Sequence, residues 1–202
     1  MRHSALVRVT HWITAASFIA LIYSGIAILL AHPRLYWGET GALGTPSLID
    51  LPLPFVLTGQ SGWGRYLHFL SAWVCVLAGV VYVLGGMSAC HFRNDLFRRR
   101  GPADYNGLQR ITYTAVVFVL FPLMIWTGFA MSPAITSVFP VLVTALGGQQ
   151  SARTIHFFVA TFLVLFLMVH IAMVILAGFI RRCRAMITGY AASRKERSWP
   201  KN

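Results

Sequence analysis

The stretch from Ile155 to Ile180 holds no charged residue, yet it carries His156 and His170. About 20 apolar residues suffice for a helix to cross a bilayer, so this run is read as a membrane span. At about 100° and 1.5 Å per residue, fourteen positions return to within roughly 40° of one helix face after a climb of about 21 Å. An ionisable side chain inside a span is a functional hypothesis by default. Two imidazoles on one face, at two depths, point to two stacked cofactors.

Three further apolar runs have comparable length: Trp12 to Ala31, Tyr66 to Met87 and Ile111 to Met131. The first is too long for the apolar core of a signal peptide and is closed by no A-x-A site, so a retained anchor is expected. The third contains Pro122, which a membrane helix tolerates and which kinks its path. Between the first two runs, His32 to Arg65 holds Pro33, Pro46, Pro52 and Pro54 with Tyr36, Trp37 and Trp63, a composition that blocks a continuous helix. Its apolar piece Leu51 to Leu57 is too short to span and is expected over the bundle or at the interface.

Ser132 to Ala152 is uncharged, but Pro133, Pro140 and Gly147-Gly148 argue against a fifth span. Charge settles the parity. With four spans, all of the 17 lysines and arginines except Arg34, Arg65 and Arg153 fall on one side. The positive-inside rule then puts both termini and the basic segment Ser88 to Arg110 in the cytoplasm. The expected fold is all-α: one integral membrane four-helix bundle over residues 1–202.

The chain is 57% hydrophobic and 11% charged, with a formal net charge of +12, which is too apolar for a soluble domain of 202 residues. Its basic residues flank the apolar runs instead of forming a patch, which argues against nucleic acid. The tail from Arg181 to Lys201 fits an anchor on anionic inner-leaflet lipid. Cys75, Cys90 and Cys183 form neither C-x-x-C nor C-x-x-C-H, which excludes a zinc ribbon, a disulfide framework and thioether-linked haem. Any haem must be held non-covalently, through histidine.

In the four-span topology His68 and His156 lie near the outer surface, and His11 and His170 toward the inner one. Each pair joins two helices at matching depth, as bis-histidine haem ligation in a bundle requires. An arginine precedes three of these histidines by three residues: Arg8 before His11, Arg65 before His68, Arg153 before His156. At that spacing the arginine shares the histidine's face and stands nearer the headgroups, where it would pair with a haem propionate. Gly25, fourteen after His11, and Gly79, eleven after His68, are candidates to clear room for the outer and inner porphyrin. The plainer alternative is small residues at helix contacts. His3, His32 and His91 are left as solvated or partner-facing.

These residues resemble the bacterial di-haem cytochrome b family, the membrane cytochromes of nickel-iron hydrogenases and formate dehydrogenases. The match rests on Arg8-x-x-His11-Trp12, on His68, and on His156 with His170. The resemblance implies two b haems forming an electron-transfer wire between a redox protein on the periplasmic face and a quinone near the inner haem. The long outer loop is similar to that of small cytochromes accompanying molybdopterin oxidoreductases. Bis-histidine ligation leaves no open site for oxygen, so electron transport is expected. Tyr105, Asn106, Gln109 and Arg110 are candidates for the quinone site, against the plainer reading of a helix start with an anchoring arginine. A homodimer is left open.

The main expectation is an electron-transfer subunit of an oxidoreductase complex in a respiratory chain. One alternative is a self-sufficient superoxide:quinone oxidoreductase, with Arg65 and Arg153 attracting a small anion. Another is a haem-free transporter or proton relay, which is weakened because Glu39, Asp50, Asp95, Asp104 and Glu196 all lie outside the spans.

Overall fold

Ser4 opens the first helix, its hydroxyl accepting from the Val7 N–H, a side-chain cap for one of the four unsatisfied amides of a helix start. This helix, α1, is Ala5–Ala31, so it begins seven residues ahead of the uncharged run. The extension carries Arg8 and His11 on regular helix. In the computed structural model, residues 4–41, 45–52, 61–88, 112 and 115–189 are described. Among them, α1 is followed by a two-residue antiparallel hairpin, β1 (Arg34–Leu35) and β2 (Ile49–Asp50). An Arg34–Asp50 ion pair of 3.1 Å spans it. Helix α2 is Ser61–Ser88.

The third apolar run is described from Val116 as a π-helical turn, Val116–Leu120, leading into α3, Phe121–Ala130. Pro122 has no N–H to give, and the preceding Phe121 N–H reaches back five residues to the Val116 carbonyl. The proline therefore widens the helix by one residue at this point. Two four-residue helices follow, α4 (Pro133–Thr136) and α5 (Val141–Thr144). Neither is long enough to span, and the Trp126 indole N–H ties α3 to the Leu142 carbonyl at 3.1 Å.

Helix α6 is Gln149–Leu176. It ends four residues before the apolar run does, because Gly178 adopts φ 96°, a left-handed conformation that glycine takes at no steric cost. The chain then turns into α7, Phe179–Thr188, with Arg181, Arg182 and Arg184. Of these helices α1, α2 and α6 are long and apolar enough to cross a membrane, and the segment Val116–Ala130 is shorter.

The distribution of side chains inverts that of a soluble bundle. Thr10, Ser17, Ser24, Ser71, Thr127, Ser151 and Thr154 are buried, whereas Ile19, Leu70, Leu84, Phe162 and Val169 are exposed. Hydroxyls can satisfy one another or a nearby carbonyl inside a bundle, and apolar side chains lose nothing by facing lipid. Thus Thr10, Ser24 and Thr127 each bond a carbonyl of their own helix.

Contacts at the two ends fix the helix directions. At one end the Arg8 guanidinium donates to the Ile187 carbonyl and the Trp12 indole to Met186. The start of α1 therefore meets α7. At the other end Arg153 donates to the His32 carbonyl and Thr154 to that of Tyr36, so α1 and α6 are antiparallel. A β-carbon added at Gly64 would meet Ala27, and one at Gly85 would meet Leu6, which makes α2 antiparallel to α1 as well. The apolar core lies midway: Val116, Val159 and Leu163, with Phe18, Phe121 and Phe166 against them.

Candidate functional site

His68 and His156 come together. His68 lies on α2 and His156 on α6, with ring centroids 6.2 Å apart and planes inclined at 61°. Each ring is held by a hydroxyl from a different helix. Ser24 Oγ on α1 is 3.0 Å from His68 Nδ1, and Thr127 Oγ1 on α3 is 2.8 Å from His156 Nδ1. All four long or apolar segments thus converge on one layer.

Each hydroxyl also lies next to a carbonyl of its own helix. Ser24 donates to Ala20 at 2.7 Å, and Thr127 to Leu123 at 2.9 Å. The Leu21 carbonyl faces the His68 ring and the Met124 carbonyl the His156 ring. With each hydroxyl proton on a carbonyl of its own helix, the hydroxyl oxygen is left to accept, and the Nδ1–H tautomer is the one this geometry favours. A neutral imidazole has one N–H and one lone pair, which leaves each Nε2 bare and able to bind a metal.

The residue after each hydroxyl is glycine. A β-carbon at Gly25 would stand 3.7 Å from His68 Cε1, and one at Gly128 3.8 Å from His156 Cε1. The close approach of ring and backbone is the same on both sides of the pair. Ser24, Thr127 and Gly128 were not singled out from the sequence. Their signal is a hydroxyl residue followed by glycine, occurring in two apolar runs that meet at one depth.

These two imidazoles fit an iron porphyrin. Two iron–nitrogen bonds of about 2 Å, each extended about 1 Å to a ring centre, separate the centroids by about 6 Å. Among the described residues no cluster of three or more His, Cys, Asp or Glu side chains forms. A donor set of two nitrogens suits a metal that brings its other four ligands with it, as haem iron does.

The other predicted residues divide between the two ends. His11 and His170 are half-buried. His11 stands thirteen residues before Ser24 on α1, and His170 fourteen after His156 on antiparallel α6, so both lie about 20 Å below the first layer. The His11 ring is edge-on to Trp12 at 5.3 Å, and the His170 ring is stacked on Phe166 at 6.3 Å. Gly79 faces open space, with nothing within 4 Å of an added β-carbon. Arg8 caps α7 and covers Gly189, whose added β-carbon would meet its guanidinium. Tyr105, Asn106, Gln109 and Arg110 lie outside the described residues.

At the opposite end Arg65 is exposed near the start of α2. Burial, and then the charges of Arg153 and Arg65, hold the His32 imidazole below its ordinary 6.5. The two arginines that flank the histidine pair in sequence thus make one basic rim, beyond the ion-paired Arg34 and Asp50.

Comparisons with known proteins identify the family of the chain. The prokaryotic cytochrome b561 family matches residues 2–189. A curated relative, "Putative protein-methionine-sulfoxide reductase subunit YedZ1" of Azospira oryzae, is 29% identical over 93% of this chain and 96% of its own. No solved structure matches. From the match over nearly its whole length, the chain belongs to the prokaryotic cytochrome b561 family and is a membrane haem protein.

Proposed function

We propose that the chain is a di-haem b-type cytochrome that carries electrons across a bacterial inner membrane, between a periplasmic oxidoreductase and the quinone pool. The observation that carries this reading is the His68–His156 pair, two imidazoles 6.2 Å apart with both Nδ1 atoms already engaged. They hold the outer haem, and His11 with His170 hold the inner one. Haem, when bound, supplies a one-electron couple at each level. The chain would supply imidazole nitrogens, a water-free sheath and counter-charges.

Several features support the assignment. Arg65 and Arg153 stand at the rim above the outer pair, close enough to His32 for their charges to act on its ring, which suits haem propionates. Arg8 serves the inner haem in the same way while capping α7. Gly25 and Gly79 leave room for the macrocycles at the two depths. The apolar core around Leu163 lies midway between His156 and His170 on α6 and insulates the path. Quinone binds near the inner haem, at Tyr105, Asn106, Gln109 and Arg110. The name of the Azospira oryzae relative, a protein-methionine-sulfoxide reductase subunit, supports a catalytic partner for this chain. The termini and the Ser88 to Arg110 segment are cytoplasmic.

Membranes containing the His170→Ala protein and its outer partner test the proposal. The partner keeps its own activity with an artificial dye, while electron exchange with quinone falls at least a hundredfold. Unchanged quinone-linked flux contradicts it. Rapid haem reduction by superoxide in the partner-free protein points instead to a self-sufficient oxidoreductase.

A further inference from the structure

The proposed function uses the two histidines of the outer layer and leaves unassigned the two hydroxyls bonded to them. Ser24 and Thr127 are fully buried, at 0% exposure. They sit on α1 and α3, the helices that contribute no ligand to this layer. Their surroundings repeat in detail: a hydroxyl bonded to Nδ1, a carbonyl four residues earlier that takes the hydroxyl proton, and glycine next in sequence. Nothing in helix packing requires the same constellation twice. What the two copies share is the ring each one holds.

We propose that Ser24 and Thr127 are positioning residues for the outer haem. They lock His68 and His156 in the Nδ1–H tautomer, turn both Nε2 lone pairs toward one iron, and lower that haem's reduction potential. The proposal rests on the reading of this pair as the outer haem's ligands.

A ring free to choose its tautomer would spend part of its time with Nε2 protonated and unable to ligate. In a low-dielectric span an unbonded Nδ1–H also carries a desolvation cost. The hydroxyls remove both problems. An acceptor on Nδ1–H draws the proton outward and makes Nε2 a stronger donor. A stronger donor stabilises ferric over ferrous iron, so the outer haem is held at a lower potential than unassisted imidazoles would give.

Potentiometric titration of the purified protein, with the two haems resolved by midpoint, tests this in Ser24→Ala/Thr127→Val. The valine keeps the shape of threonine and removes the acceptor. Both haems are retained, and the outer midpoint rises enough to increase its ferrous-to-ferric ratio at fixed potential about tenfold, or about 59 mV for one electron. The inner midpoint stays where it is, and Thr127→Ser, which keeps the hydroxyl, titrates as wild type. An unmoved outer midpoint in the double variant overturns the proposal. If the double variant loses the outer haem, Thr127→Ser and Ser24→Thr decide. Retention of the haem at the wild-type midpoint in both supports positioning, and loss in both reduces the hydroxyls to packing and overturns it. Failure of the haem reading itself looks different, since a second haem is then absent from the wild type or survives His156→Ala.

Discussion

At the scale of single residues, the site is two imidazoles whose outer nitrogens are already spoken for. On the proposal that one haem iron takes both, His68→Ala and His156→Ala are expected to remove the same haem. The double variant should be no worse than either, the non-additivity of residues that act as one unit. Haem content of the three proteins checks this, and a further loss in the double variant counts against shared ligation. The candidate histidines were legible because a histidine in an apolar run has few other uses, and two of them, His68 and His156, come together in the fold. Ser24 and Thr127 were not legible, since buried hydroxyls are ordinary in membrane bundles and only the folded chain shows what each one faces. His32 is a residue-scale test of the basic rim. Its pKa lies below 6.5 because burial, Arg153 and Arg65 disfavour the charged ring. The unfolded chain therefore binds more protons between the folded pKa and 6.5, so this group's contribution to stability rises with pH through that window and is unfavourable below it. If haem propionates occupy the rim, they offset the arginines. The His32 proton resonance should titrate at higher pH in the haem-loaded protein than in His68→Ala, and equal values would separate the rim from the propionates.

At the scale of elements, the outer end is organised by the start of α6. Gly148 precedes it at φ 113° and ψ 171°, a region open essentially to glycine alone. An added β-carbon there would meet the Gly38 carbonyl at 2.5 Å. That same carbonyl accepts from the Gln150 and Ser151 N–H groups at 3.0 and 3.2 Å, capping the helix from across the loop. Gly148→Ala is expected to cost at least about 1–3 kcal/mol from backbone strain and to loosen the loop against Arg153 and Thr154. A lower melting temperature, with outer-haem loss preceding inner-haem loss on heating, is the result to look for. Equal lability of the two haems contradicts the link between this cap and the outer site. The sequence announced the Gly147-Gly148 break but not its partner, because Gly38 lies more than a hundred residues away. The ends of the helices were also hidden. Hydropathy marks where lipid begins, whereas Ser4 and Gly178 mark where hydrogen bonding begins and ends.

At the scale of the whole molecule, antiparallel helices bring Arg8 and Ile187 to one end and His32 and Arg153 to the other. Three long helices and a shorter one enclose two histidine levels about 20 Å apart, with apolar side chains between them. A mostly helical membrane fold followed from the long uncharged runs, although among the described residues three helices are long enough to span and the third run gives a shorter one. The pairing of helices did not, since hydropathy carries depth and not neighbourhood. The charge imbalance of the sequence predicts the orientation: alkaline phosphatase fused after Asn202 stays inactive, and the same enzyme inserted at Gly41 in the outer loop is active. The reverse pattern would invert the direction of the proposed wire. The central claim, two haems held by two histidine pairs, is tested most directly by haem per polypeptide in the detergent-purified protein, from dithionite-reduced minus oxidised spectra. Two non-covalent b haems in the wild type and one in His156→Ala are predicted. A wild type with fewer than two, or a His156→Ala protein that keeps both, would contradict it.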